Sequence, residues 1–304
     1  MPPDLAFVST QLSLNPAQFV GIPIALIGAV FLSFGAQFQH RGVNKVEAQS
    51  QQVTGGLDPK QLAALLRRPS WVLGTLLLGL AIVLQLVSLN FSPLIVVQPL
   101  GAVALVITAI LNSRITKTKL NRASVVSIVM CVAGVALFVL IAAFTAVDTP
   151  VSDQQLETIV IIMGVVLALF VVAFILFRRQ MKAIAYIVGA GVLYGFVATL
   201  AKVVISRVQQ QDFEWLTLTC LVGLLVAAIA GAYLVQTAYA VGPPDLVIAG
   251  LTVVDPMVAV GIGIIVLGEA SQAPTFALVG FVLTGILAIL GVFGLAKYHP
   301  QSEH

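Results

Sequence analysis

The segment 246–268, LVIAGLTVVDPMVAVGIGIIVLG, is apolar except near its centre, where Asp255 precedes Pro256. A helix of this length rises ~1.5 Å per residue and just crosses a hydrocarbon core ~30 Å thick. An aspartate halfway across costs roughly 2.5–3.5 kcal/mol on insertion scales, so it must face protein or water rather than lipid. Pro256 has no N–H for the carbonyl of Thr252 and disfavours helical geometry at Asp255. The expectation is a helix break at Thr252 and Pro256 that sets a carboxylate beside a freed carbonyl, which is the chemistry of an ion-binding or proton-exchanging site.

The other polar residues in apolar surroundings are Lys202, Gln85, Asn90, Gln98, Tyr194, Gln236 and Tyr239. Gln236 and Tyr239 are three apart and share a helix face, as do Gln85 and Ser88, so these groups could line one cavity. Each glutamine serves equally well as a hydrogen-bonding link between packed helices. Lys202 shares a stripe with Gly191, Gly195 and Ala198, which favours a protein-facing position over snorkelling to the headgroups. A pair between Lys202 and Asp255, broken by substrate or proton, is the expected switch. Glu269 is read as an interfacial or turn residue, not a ligand.

These residues must be held by a membrane protein. The chain has 304 residues, 60% hydrophobic and 9% charged, an apolar share above and a charge share well below those of soluble domains. Cys131 and Cys220 each sit in an apolar run, and His40, His299 and His304 lie outside the apolar runs, so no catalytic triad, zinc motif or disulfide framework is available. The chain reads as a non-enzyme with no cofactor and no nucleic-acid partner, its partners being the bilayer and a small-molecule or ion substrate.

Nine spans are expected, at 17–38, 71–89, 94–111, 123–144, 159–177, 184–206, 215–241, 246–268 and 276–295. In span 1, Gly21, Ala25, Ala29 and Ser33 recur every four positions, a spacing that lets a second helix come close. The basic loop 40–69 contains LDPKQLAALLRR, where Asp58 as N-cap and Pro59 at the first helical position predict a short surface helix. Loops after spans 1, 3 and 5 hold five, four and three Lys or Arg, and Lys297 follows span 9, which makes thirteen of the fifteen. Arg207 alone is on the other side. The positive-inside rule then places the protein in the cytoplasmic membrane with its N-terminus outside and its C-terminus in the cytoplasm. The acidic loop with Asp148, Asp153 and Glu157 lies outside and reads as a solvated linker.

Sliding the chain by 151 residues aligns span 2 onwards with span 7 onwards: Gln85 meets Gln236, Pro93 meets Pro244 and Gly134 meets Gly285. Five crossings separate spans 2 and 7, so the repeat is inverted in the membrane, an arrangement that puts substrate between the halves. The expected organisation is an extracytoplasmic tail (1–16), a first repeat (17–146), a linking span 5 (147–183), a second repeat (184–296) and a cytoplasmic tail (297–304), in an all-α polytopic bundle.

The segment GPPDLVIAGLTVVDPMVAVGIGIIVLGEA resembles the EamA-type repeat of the drug/metabolite transporter superfamily, with Pro256 at mid-helix and Gly268 and Glu269 at the helix end. FSPLIVVQPLGAVALVITAILNSR, with Gln98, Pro99, Leu100, Gly101 and Ala102 after a proline turn, resembles the NIPA-type magnesium transporter branch, as does the nine-span layout. NIPA-type chains commonly carry an acid within the second span, where this chain has Ile82, and EamA-type chains have ten spans. The resemblance implies two inverted repeats around a central cavity, alternating access, and often a homodimer. The leading expectation is a secondary transporter of a small metabolite or drug-like solute, coupled to protons through Asp255. The alternative is a divalent-cation pathway for Mg²⁺, and a third is a non-transporting membrane partner or lipid-handling protein.

Overall fold

The computed structural model describes residues 16–47, 65–116, 120–148, 150–177, 182–211, 214–242 and 244–298. Among them, nine helices are long and apolar enough to cross a membrane, and no strand occurs. Span 1 is helix Pro16–Glu47, span 2 Pro69–Phe91, span 4 Arg122–Thr145, span 5 Asp153–Phe177, span 6 Ala183–Gln209, span 7 Trp215–Val241, span 8 Pro244–Ile265 and span 9 Thr275–Tyr298. Span 3 starts as a short helix, Leu94–Val97, tightens through a 3₁₀ turn at Gln98–Leu100 and continues as Gly101–Thr116.

Local chemistry sets several of these ends. Pro69 opens span 2 at a position whose N–H is unused anyway. The Asn121 side chain accepts the Ser124 amide at 2.7 Å and so caps span 4. Span 1 continues seven residues beyond His40, so the expected loop there is shorter. Span 5 begins at Asp153 rather than Ile159, which takes Asp153 and Glu157 out of the loop and into the helix. The predicted surface helix falls mostly outside the described residues.

Packing follows small residues. Ala25, Ala29 and Ser33 are buried. Ser88 Oγ donates to the Gly21 carbonyl at 2.8 Å and Ser33 Oγ to the Ala104 carbonyl at 2.8 Å, tying span 1 to spans 2 and 3. Span 1 lies along span 2 and against span 3; span 6 lies along span 7 and against span 8; span 4 lies along span 9. Spans 1–3 and spans 6–8 thus pair in the same pattern. Gly134 and Gly285, matched by the 151-residue shift, sit at the seam of spans 4 and 9: a Cβ on Gly134 would come 2.5 Å from the Ala288 amide nitrogen, and one on Gly285 would touch the Phe138 ring at 3.9 Å. Span 5 is peripheral, beside spans 6 and 7, and largely exposed.

Candidate functional site

Span 6 brings Asp255 to the middle of the bundle. A Cβ on Gly191 would lie 2.6 Å from Val254 Cβ, and one on Gly195 would lie 3.0 Å from the Asp255 carbonyl, so only residues without a side chain let span 8 seat this deeply. Asp255 then lines a cavity of about 450 Å³ between spans 1, 2, 3, 6 and 8. Gln85 and Ile82 reach it from span 2, Gln98 from the 3₁₀ turn of span 3, Tyr194 from span 6, and Thr252 and Pro256 from span 8. Six of the residues singled out by sequence thus share one chamber. Asp255 is the one acidic residue lining it, and its Oδ1 is buried with no hydrogen-bond partner among the described residues.

The expected helix break does not occur. Span 8 is continuous from Pro244 to Ile265 with Pro256 inside it, and the Thr252 hydroxyl donates to the Ile248 carbonyl at 2.8 Å. Proline withdraws only the amide that the Thr252 carbonyl would have received, a loss the neighbouring turns absorb without interrupting the helix. Gln236 and Tyr239 are exposed on span 7 and do not line the cavity. They share a helix face as expected. Asn90 lies at the end of span 2, where its side-chain oxygen accepts the Gln209 amide at 2.7 Å.

Lys202 does not pair with Asp255. Its ammonium donates to Asp148 Oδ2 at 2.7 Å and to the carbonyls of Leu89 at 2.9 Å and Ser92 at 3.2 Å. Leu89 and Ala201, the residue before Lys202, both line the cavity, so the ammonium stands directly at its Asp148 end. One helical turn and a half further, buried Arg207 bonds Asp153 and the Val151 carbonyl. The acidic loop is therefore no solvated linker. Asp148 and Asp153 are five apart, as are Lys202 and Arg207, and that matched spacing is a signal in the sequence that points to both pairs.

Glu269 is buried too, at 2% exposure, and not interfacial. Gly268, with φ of 70°, reverses the chain in the left-handed region after span 8. Glu269 then folds back over Gly263, where a Cβ would sit 2.8 Å from its Oε2. Its two oxygens accept the amides of Leu94 and Ile95, each at 2.8 Å, satisfying donors that the start of span 3 leaves open. Burial pushes its carboxyl up to about 7, opposed by the two amides and by Lys202, while Asp148 adds to the rise. The Glu269 carbonyl accepts the Val147 amide at 2.8 Å, and Gln155 bonds the Val266 carbonyl at 3.1 Å. The 2–3 turn, the 4–5 loop and the 8–9 turn are thereby joined with span 6 into one polar layer that meets the cavity at Leu89.

Comparison with known proteins adds the following. The sequence profile of the family described as Magnesium transporter NIPA matches residues 17–299, which takes in all nine spans. An uncharacterised protein of Corynebacterium glutamicum is 23% identical over 283 residues, 92% of this chain and 96% of that protein. A probable magnesium transporter of Candida albicans is 23% identical over 147 residues, 48% of this chain and 37% of that protein. Probable magnesium transporter NIPA1 of Arabidopsis thaliana is 26% identical over 128 residues, 42% of this chain and 36% of that protein. No solved structure matches the chain.

Proposed function

Because the chain belongs to the magnesium transporter NIPA family, whose members are membrane transporters, we propose that its cargo is Mg²⁺, carried in hydrated form through the Asp255 cavity. The observation that carries this reading is the Asp255 carboxylate itself: acidic, part-buried, with Oδ1 unpartnered, and facing a chamber that also presents the side chains of Gln85, Gln98 and Tyr194.

Among the described residues no group of three or more His, Cys, Asp or Glu could hold a metal. A hydrated ion does not need one. Mg²⁺ sheds water reluctantly and is usually held through one or two carboxylates with several waters kept. Six waters at roughly 30 Å³ each occupy roughly 180 Å³, well within the 450 Å³ available. Asp255 supplies the charge that offsets a cation in a low-dielectric setting, and the amide oxygens of Gln85 and Gln98 and the Tyr194 hydroxyl receive hydrogen bonds from the coordinated waters. The repeats 17–146 and 184–296 are the two halves that rock about this site, in the cytoplasmic membrane with the Asp148 end outside.

Mg²⁺ flux into proteoliposomes, read with an internal magnesium dye, tests the reading. Wild-type protein gives saturable flux and Asp255→Asn abolishes it; unchanged flux in Asp255→Asn sinks the assignment of the site. A small organic solute is the second reading, favoured by the largely apolar lining contributed by Ala25, Leu86, Val197 and Leu251. Proton-driven uptake of an organic solute, without Mg²⁺ flux, would establish it instead.

A further inference from the structure

Three oxygens converge on one buried positive charge where the cavity meets the Asp148 end. The Leu89 and Ser92 carbonyls come from the C-terminal turn of span 2, where the helix dipole is negative, and Asp148 adds a carboxylate. Carbonyls at a helix C-terminus together with a carboxylate are also what a hard metal cation takes. Glu269 places a second carboxylate close enough for its charge and that of Lys202 to influence one another. Lys202 and Asp148 neutralise one another, and without the ammonium the Asp148 charge stands uncompensated.

We propose that this oxygen set is a second cation site, separate from Asp255, in which the Lys202 ammonium is the resident cation while the Asp148 end is closed and a divalent cation replaces it as that end opens. The identity of the ion rests on the magnesium reading; the tethered ammonium as the closing group does not. The exposures fit a site on a path: the Lys202 side chain is 5% exposed and the Asp148 side chain 30%, so an ion arriving from the loop side meets Asp148 first. The flexible stem of lysine lets its ammonium leave the oxygens without moving span 6. Its departure loosens the 2–3 turn and the 4–5 loop from span 6, which the Arg207 bonds to Asp153 and the Val151 carbonyl and the Gln209–Asn90 bond still join.

A cysteine in the cavity reads the opening. In protein with Cys131→Ala and Cys220→Ala, Ala198→Cys lines the chamber and is labelled with a membrane-impermeant maleimide applied at the Asp148 face during a MgCl₂ titration. The expected result is slow labelling without Mg²⁺ and saturable acceleration with it. Lys202→Met labels about tenfold faster without Mg²⁺ and no longer responds to it, the size expected for removal of a charge-assisted contact. Asp148→Asn, which keeps the ammonium, raises the half-maximal Mg²⁺ about tenfold, because a divalent ion loses more at that position than an ammonium does. Labelling of Lys202→Met as slow as wild type overturns the proposal, and if that variant fails to fold, an unshifted titration in Asp148→Asn overturns it. Mg²⁺ flux in the same preparations separates the two claims: flux with unaltered labelling rejects the second site alone, whereas faster labelling in Lys202→Met, with neither Mg²⁺ flux nor a Mg²⁺ response of labelling in wild type, rejects magnesium as the ion.

Discussion

Glu269, in the turn after span 8, accepts the amide of Leu94 at the first residue of span 3, with 2.8 Å between Oε1 and nitrogen. The second half of the chain thereby caps a helix of the first, and the same carboxylate takes the Ile95 amide. Replacing it with alanine strands two buried donors at a helix start. Glu269→Ala is expected to cost about 1–3 kcal/mol for each amide left without an acceptor, read as a lowered midpoint of thermal unfolding in detergent.

Glu269 also makes stability depend on pH. Burial holds its carboxyl at about 7, above the ordinary 4.5, so the folded protein keeps a proton in that window that the unfolded chain has released. Stability therefore rises as pH is lowered from about 7 to about 4.5 and is lost again as pH climbs through about 7, by on the order of 3 kcal/mol for this group. Unfolding midpoints across that range should show a steeper slope in wild type than in Glu269→Gln. An identical slope in both proteins assigns the titration elsewhere.

The turn that delivers Glu269 depends on Gly268 at φ of 70°. Gly268→Ala has open space for its Cβ, so its penalty is conformational and not steric. An expected loss of about 1–2 kcal/mol follows from the left-handed geometry alone, and differential scanning of the purified variant measures it.

How much of this was readable beforehand divides along one line. Apolar length and the basic loops mark the spans because they report local chemistry, and the nine membrane-length helices among the described residues fall within a few residues of those positions except where span 1 runs on to Glu47 and span 5 starts early at Asp153. The membership of Asp255, Gln85, Gln98 and Tyr194 in one cavity was also legible, since a polar group at mid-span has few places to go. Partner choice was not. Lys202 was expected to meet Asp255, but Lys202 lies past the cavity, level with the loops, where Asp148 reaches it. Helix-face arguments fix direction around an axis and leave depth relative to other helices undetermined. Gln236 shows the same limit: it is the repeat partner of Gln85, yet it is exposed on span 7 while Gln85 lines the chamber. Glu269 is the turn residue expected, but buried instead of interfacial, because a charge after an apolar run ordinarily meets solvent and only the fold shows the open amides of span 3 beside it.

Ile82 offers the sharpest test of the cavity. It lines the chamber that holds Asp255, at the position of span 2 where NIPA-type chains commonly carry an acid. Ligand charge count is what tunes affinity in oxygen sites for hard cations, and a single carboxylate leaves a divalent ion half-neutralised. Ile82→Asp supplies the second charge from the wall contributed by span 2. The side chain becomes shorter at a cavity wall, so the fold has room for it. Half-saturation for Mg²⁺ flux is expected to fall about tenfold, with a lower maximal rate if the ion is held too tightly to leave. A double variant with Asp255→Asn separates a true shared site from a general gain in negative potential. If both carboxylates act on one ion, the gain from Ile82→Asp disappears with Asp255, and the two substitutions are non-additive; if the gain survives, the aspartate at position 82 attracts cations without sharing a site with position 255.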